Sequence, residues 1–206
     1  MKNIFIHGLG QNSSSWDKML SFLDKKDPYY CPDLFILLKD KDVTYEMLYS
    51  VFSEYCNNLS EPLNLCGLSL GGILALNYTL DYPEKVNSLI LIGIQYKASK
   101  ILFKLQYYMN KITPESAFIK IGYKKDNFLK LLKSMKNLDF SKKIESISCK
   151  TLIICGKNDF LNIKAAKNLS INIHNAKLNI IENSGHMINI ENPKKLSLVI
   201  NEFYDK

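Results

Sequence analysis

Ser69 stands in Cys66-Gly67-Leu68-Ser69-Leu70-Gly71-Gly72, a G-x-S-x-G pattern between an apolar strand-like run (63–68) and a helical run (73–80). A sharp turn from strand into helix forces its central residue into an unfavourable backbone conformation. Side chains two residues to either side would clash, so Gly67 and Gly71 leave room. Chance yields on the order of 0.03 such matches in a chain of this composition, before the strand-turn-helix context is required. A hydroxyl held there is a candidate nucleophile, because a helix starting at Leu70 aims free N–H groups at developing negative charge. The bland alternative is an incidental serine in a glycine-rich turn.

A serine hydroxyl becomes a useful nucleophile only beside a base. Of three histidines, His186 alone follows the serine in a loop at a strand's carboxyl end, after Glu182-Asn183-Ser184-Gly185 and before the last helix. His174 lies in a polar surface stretch, and His7, beside Gly8, is expected to shape its loop rather than move protons. The acid that orients the imidazole is expected at Asp159, directly after the buried run 151–155, in the chain order Ser…Asp…His. The other acid position, after the strand at 88–94, offers Gly93, Ile94, Gln95 and Tyr96 and no carboxylate. Glu182 is the runner-up but sits too near His186 in one loop. Donors for a tetrahedral oxyanion are expected from the backbone N–H of Leu70 and, in His7-Gly8-Leu9-Gly10, that of Leu9.

These groups need a scaffold. Strand candidates at 3–6, 29–35, 63–68, 88–94, 151–155 and 177–181 are nearly continuous in apolar character, as strands covered on both faces are. Between them run helical stripes: Trp16, Met19, Leu20 and Leu23; Leu48, Val51, Phe52, Tyr55 and Leu59; and Leu196, Val199, Ile200 and Phe203. Asn192 is the expected cap of the last helix and Pro193 its first residue. The alternation predicts an α/β fold with a mostly parallel six-stranded sheet and helices on both faces. From 95 to 148 no strand is expected. Ile101, Leu105, Tyr108 and Ile112 share one helical face, and Phe128, Leu131, Leu132 and Met135 another. This segment reads as a small helical lid inserted into a single domain spanning 1–206.

The 206 residues can bury a sizeable core. No apolar run reaches the roughly 18 residues of a membrane span, and the N-terminus reads as a buried strand rather than a signal peptide. Five cysteines, none in a C-x-x-C pair, point away from disulfides and zinc and toward a cytoplasmic location. The net charge of +7 comes from lysines scattered along the chain, which reads as a solvated surface rather than a nucleic-acid or membrane face.

The chain resembles the α/β-hydrolase superfamily over nearly its whole length. His7–Gly10 is similar to the family's oxyanion loop, Ser15-Trp16 to its first helix start and Pro32-Asp33-Leu34 to its P-D-L segment. Gly67–Gly72 is similar to its nucleophile turn, Gly156–Asp159 to its acid loop, Ser184-Gly185-His186 to its histidine loop and Glu191-Asn192-Pro193 to the start of its last helix. The resemblance implies the family fold without its two usual leading strands, leaving a sheet edge open to a possible second copy. It implies a serine hydrolase of the carboxylesterase type, cleaving a small carboxylic ester or thioester without cofactor or metal. Phe103, Tyr107, Tyr108 and Phe118 suit an acyl or aryl group or, equally, core packing. Two readings remain beside it: carbon–carbon bond hydrolysis on the same triad, and a catalytically silent binding protein.

Overall fold

A computed structural model describes residues 1–24, 28–120 and 124–205. Its strands are β1 (Lys2–Ile6), β2 (Tyr29–Tyr30), β3 (Leu63–Leu68), β4 (Val86–Ile92), β5 (Lys150–Gly156) and β6 (Ala176–Ile181). They form one six-stranded sheet in the order β2-β1-β3-β4-β5-β6, with every pair parallel. The helices are α1 (Asp17–Leu20), α2 (Leu34–Leu37), α3 (Tyr45–Asn57), α4 (Leu70–Asp81), α5 (Lys100–Ile112), α6 (Glu115–Lys120), α7 (Lys125–Ser134), α8 (Ile163–Asn172), α9 (Ile188–Glu191) and α10 (Pro193–Tyr204).

The apolar strands are continuous because alternate residues feed two cores. Ile4, Ile6, Leu65, Leu89, Leu91, Ile153 and Cys155 pack with residues of α3, α4 and α8 on one face. Phe5, Cys66, Leu68, Ile90, Ile92, Leu152 and Ile154 pack with α1, α10 and Trp16 on the other. At ~25 cal/mol per Å² of apolar surface removed from water, these two layers supply most of the drive to fold. β1 and β3 are neighbours although β2 lies between them in sequence, so the chain reverses its winding direction there. Such a switch point opens a crevice at the carboxyl ends of the two strands, and the loops after β1 and β3 carry the oxyanion and serine candidates.

Three local expectations are corrected. The strand expected over 29–35 stops at Tyr30, because Pro32 brings no N–H to a ladder and Asp33 Oδ1 accepts from Phe35 N (3.0 Å) and Ile36 N (3.2 Å) to start α2. Asn192 does not cap α10 with its side chain, since its amide donates to Ser184 Oγ (3.3 Å). On α5, Tyr108 and Ile112 are exposed, and that helix packs on α7. The side chains of Ile101 and Leu105 lie outside the described residues. Of the expected stripe, Phe128, Leu131 and Leu132 on α7 are buried and Met135, just past that helix, is half-buried; Phe118 and Phe128 pack together with Leu9 and Phe35. No helix among the described residues is long and apolar enough to cross a membrane.

Candidate active site

β3 ends at Leu68 and α4 begins at Leu70, leaving Ser69 alone at the turn with φ 52° and ψ −115°. Such a conformation costs a non-glycine residue about 1–3 kcal/mol and persists only where its surroundings over-determine it. Here Ser69 N donates to Ile92 O (2.9 Å) and Ser69 O accepts from Ile73 N (3.0 Å). A Cβ on Gly67 would lie 2.4 Å from the Gly71 backbone, and one on Gly71 would lie 2.2 Å from Ile6 O. The start of α4 is thus pressed against its own strand and against β1, the close approach that the glycine spacing predicts.

Asp159 and His186 come from the loops after β5 and β6. These loops are stitched together by Lys157 N donating to Ile181 O (2.9 Å) and Asn158 N donating to Ser184 O (2.9 Å). His186 Nδ1 donates to Asp159 Oδ2 at 2.7 Å. The carboxylate is 5% exposed and the imidazole 41%. With Nδ1–H bound to the acid, Nε2 is left as the free basic nitrogen. The pair reaches the serine's neighbourhood at Gly93 (φ +57°), where a Cβ would lie 3.1 Å from His186 Nδ1 and 3.2 Å from Asp159 Oδ2. Gly93 directly follows Ile92, whose carbonyl binds Ser69 N. Serine, acid and base candidates therefore share one rim of the sheet. Ser69 Oγ and the imidazole are not joined by a hydrogen bond, a contact that in hydrolases often tightens only with substrate.

The loop after β1 lies against the serine: a Cβ on Gly8 would be 3.5 Å from Ser69 Cβ. Gly8 N is occupied by Gln11 Oε1 (3.3 Å). Gln11 Nε2 donates to Asn189 Oδ1 (3.2 Å), and Asn189 Nδ2 donates to Ser15 O (3.1 Å), so this loop is tied to α9 just beyond His186. The N–H of Leu70, first in its helix, has no intrahelical acceptor. His7 is buried, with Nδ1 donating to Gly8 O (2.9 Å) and Nε2 accepting from Leu34 N (3.1 Å). Both ring nitrogens are spent on backbone, and burial lowers its pKa. His7 shapes the loop, as expected. His174 is exposed, and Glu182 pairs instead with Lys157 (2.7 Å) on the surface.

Three residues at the site were not singled out by type or spacing. Glu191 accepts from Gly185 N and from Met187 N (3.0 Å), gripping the backbone on both sides of His186. Asn162 donates to the Asp159 carboxylate (2.8 Å to each oxygen), and Gln95 donates to Asn162 Oδ1 (3.0 Å). Asn162 has the look of an ordinary cap ahead of α8, yet its side chain makes no cap bond. A cavity of mixed lining at the opposite rim, formed by Asn3, Leu23, Asn64, Ser88, Lys150 and Tyr204 among others, contains none of the predicted groups.

The family profile described as alpha/beta hydrolase fold matches residues 58–139. The chain is 23% identical to monoacylglycerol lipase ABHD6 of Homo sapiens, over 97% of its own length and 74% of that protein. It is 33% identical to a pimeloyl acyl-carrier protein methyl ester esterase of Wigglesworthia glossinidia brevipalpis, over 44% of its own length and 35% of the relative. MenH from S. aureus superposes with a TM-score of 0.84 at 16% identity, covering 100% of this chain and 93% of that one. A thermophilic esterase from Thermogutta terrifontis gives 0.80 at 18% identity, covering 100% and 89%. The solved structures speak for the fold, and the sequence relatives include a lipase and an esterase: the chain has the α/β-hydrolase fold.

Proposed function

We propose that this chain is a serine hydrolase that cleaves a small carboxylic ester or thioester through Ser69, His186 and Asp159. His186 Nε2 takes the Ser69 proton as Oγ attacks the acyl carbon, and Asp159 stabilises the resulting imidazolium. The N–H groups of Leu9 and Leu70 receive the oxyanion, where one such donor is worth about 3 kcal/mol in other serine hydrolases. His186 then protonates the departing alcohol or thiol. It next takes a proton from water, whose oxygen attacks the acyl-enzyme, and Ser69 recovers its proton as the carboxylic acid leaves. The segment 95–148 serves as the lid of a single domain, and the packing of Phe118 and Phe128 on Leu9 supports that role.

One observation carries the reading. The hydrogen-bonded Asp159–His186 pair abuts Gly93, one residue past the carbonyl that holds the strained Ser69. Names among the similar relatives, a monoacylglycerol lipase and a methyl ester esterase, lend weight to an ester bond. The test is turnover of p-nitrophenyl acetate and butyrate by wild type and Ser69→Ala, with fluorophosphonate labelling. Wild type is expected to turn over and label at Ser69, and the variant to lose about a millionfold in kcat. A wild type that neither turns over nor labels would favour the silent binding protein.

A further inference from the structure

The Asp159 carboxylate is almost wholly buried, and a buried carboxylate needs donors for both oxygens. Among the described residues its side-chain donors are His186 Nδ1 on Oδ2 and Asn162 Nδ2, 2.8 Å from Oδ1 and 2.8 Å from Oδ2. The orientation of the Asn162 amide follows from the charge it faces, since a flipped amide would set its carbonyl against the carboxylate. Asn162 Oδ1 then accepts from Gln95 Nε2 (3.0 Å), and the same Gln95 nitrogen donates to Leu161 O (2.6 Å). Gln95 lies two residues past Gly93, on the segment leaving the strand that holds Ser69 N.

We propose that Gln95 and Asn162 form an amide relay that positions Asp159, and through it the His186 imidazole, for proton transfer with Ser69. The proposal rests on the hydrolase reading and names what sets the geometry of its acid–base pair. A neutral donor suits this place. A lysine on Asp159 would also fill Oδ1 but would cancel the negative charge that the imidazolium needs. An amide fixes the carboxylate plane and leaves the charge intact. Asn162 Nδ2 and His186 Nδ1 lie 3.1 Å apart because both donate to the same carboxylate; the pair is donor beside donor and contributes no hydrogen bond of its own. Gln95 in turn pins both the backbone and the side chain of the acid loop to the β4 end of the sheet. The relay thus ties the acid, through its own loop, to the strand beside the nucleophile.

The test compares wild type, Asn162→Leu, Gln95→Met and the double variant; both changes keep a side chain of similar length while removing donors. Ester turnover is measured together with the downfield proton resonance of His186 Nδ1–H in the resting enzyme. Asn162→Leu is expected to lower kcat about 10–100-fold with KM held within about twofold, the pattern of lost orientation rather than lost binding. Gln95→Met is expected to lose less, and the double variant no more than Asn162→Leu alone, because both act through one contact. The resonance is expected in wild type and exchange-broadened in Asn162→Leu. Wild-type kcat in Asn162→Leu overturns the proposal. So does a kcat loss with the resonance unchanged, or a wild-type spectrum that lacks the resonance. A wild type without ester turnover or Ser69 labelling removes the hydrolase reading, and the resonance alone then decides the relay.

Discussion

Gly93→Ala should damage the Asp159–His186 pair without replacing any of the proposed catalytic residues. The perturbation has two parts. Alanine at φ +57° pays about 1–2 kcal/mol for a left-handed backbone. Its methyl would also sit 3.1 Å from His186 Nδ1, 3.2 Å from Asp159 Oδ2 and 3.3 Å from His186 Cε1. Ordinary contacts lie near ~3.5–4.0 Å, so imidazole and carboxylate must each yield by a few tenths of an ångström. In a chain of this size 1 kcal/mol moves Tm by about 2–4 °C, so the backbone cost alone lowers it by roughly 2–8 °C. A 1 Å misplacement near reacting groups costs about 10²-fold, so a displacement of tenths is expected to cost about tenfold in kcat with KM little changed. Scanning calorimetry and p-nitrophenyl butyrate kinetics read the two parts separately. Wild-type kcat in Gly93→Ala would mean that the pair does not pack on this residue, and that acid, base and serine do not meet at one rim.

Three further outcomes follow from contacts at the same rim. Glu191→Ala frees the N–H groups of Gly185 and Met187; steady-state kinetics should give a kcat about tenfold lower at unchanged KM. His7 is held neutral with a pKa lowered by burial, so the unfolded chain binds the extra proton first. Stability is therefore full above about pH 6.5 and falls as pH drops from there toward the depressed value. Urea midpoints between pH 8 and 5 should fall more steeply for wild type than for His7→Gln. Asp33→Ala removes the cap of α2 and should cost about 1 kcal/mol, measurable as a Tm lower by about 2–4 °C.

Much of this architecture is readable in the chain because its causes are local. The run 63–68 is apolar on both faces of one strand, and β3 spans Leu63–Leu68 as expected. Gly67 and Gly71 must be small because the chain turns back on itself within five residues, so the strain at Ser69 is written beside Ser69. The order of Ser69, Asp159 and His186 follows the order in which parallel strands deliver their carboxyl ends. By contrast, the strand expected over 29–35 failed where a proline and one capping carboxylate outweighed an apolar run.

From sequence alone come the alternating strands and helices, the serine turn and the three loops that end at one rim, since turn sterics and apolar periodicity act between near neighbours. Only the tertiary structure decided that Gln95 reaches Asn162 across 67 residues, that Glu191 grips the loop of His186 and that one face of α5 stays exposed. An amide or carboxylate has the same side chain whether it caps a helix, faces water or braces an acid. Which of these it does depends on the neighbour that the fold brings, and no residue beside it in the chain records that neighbour.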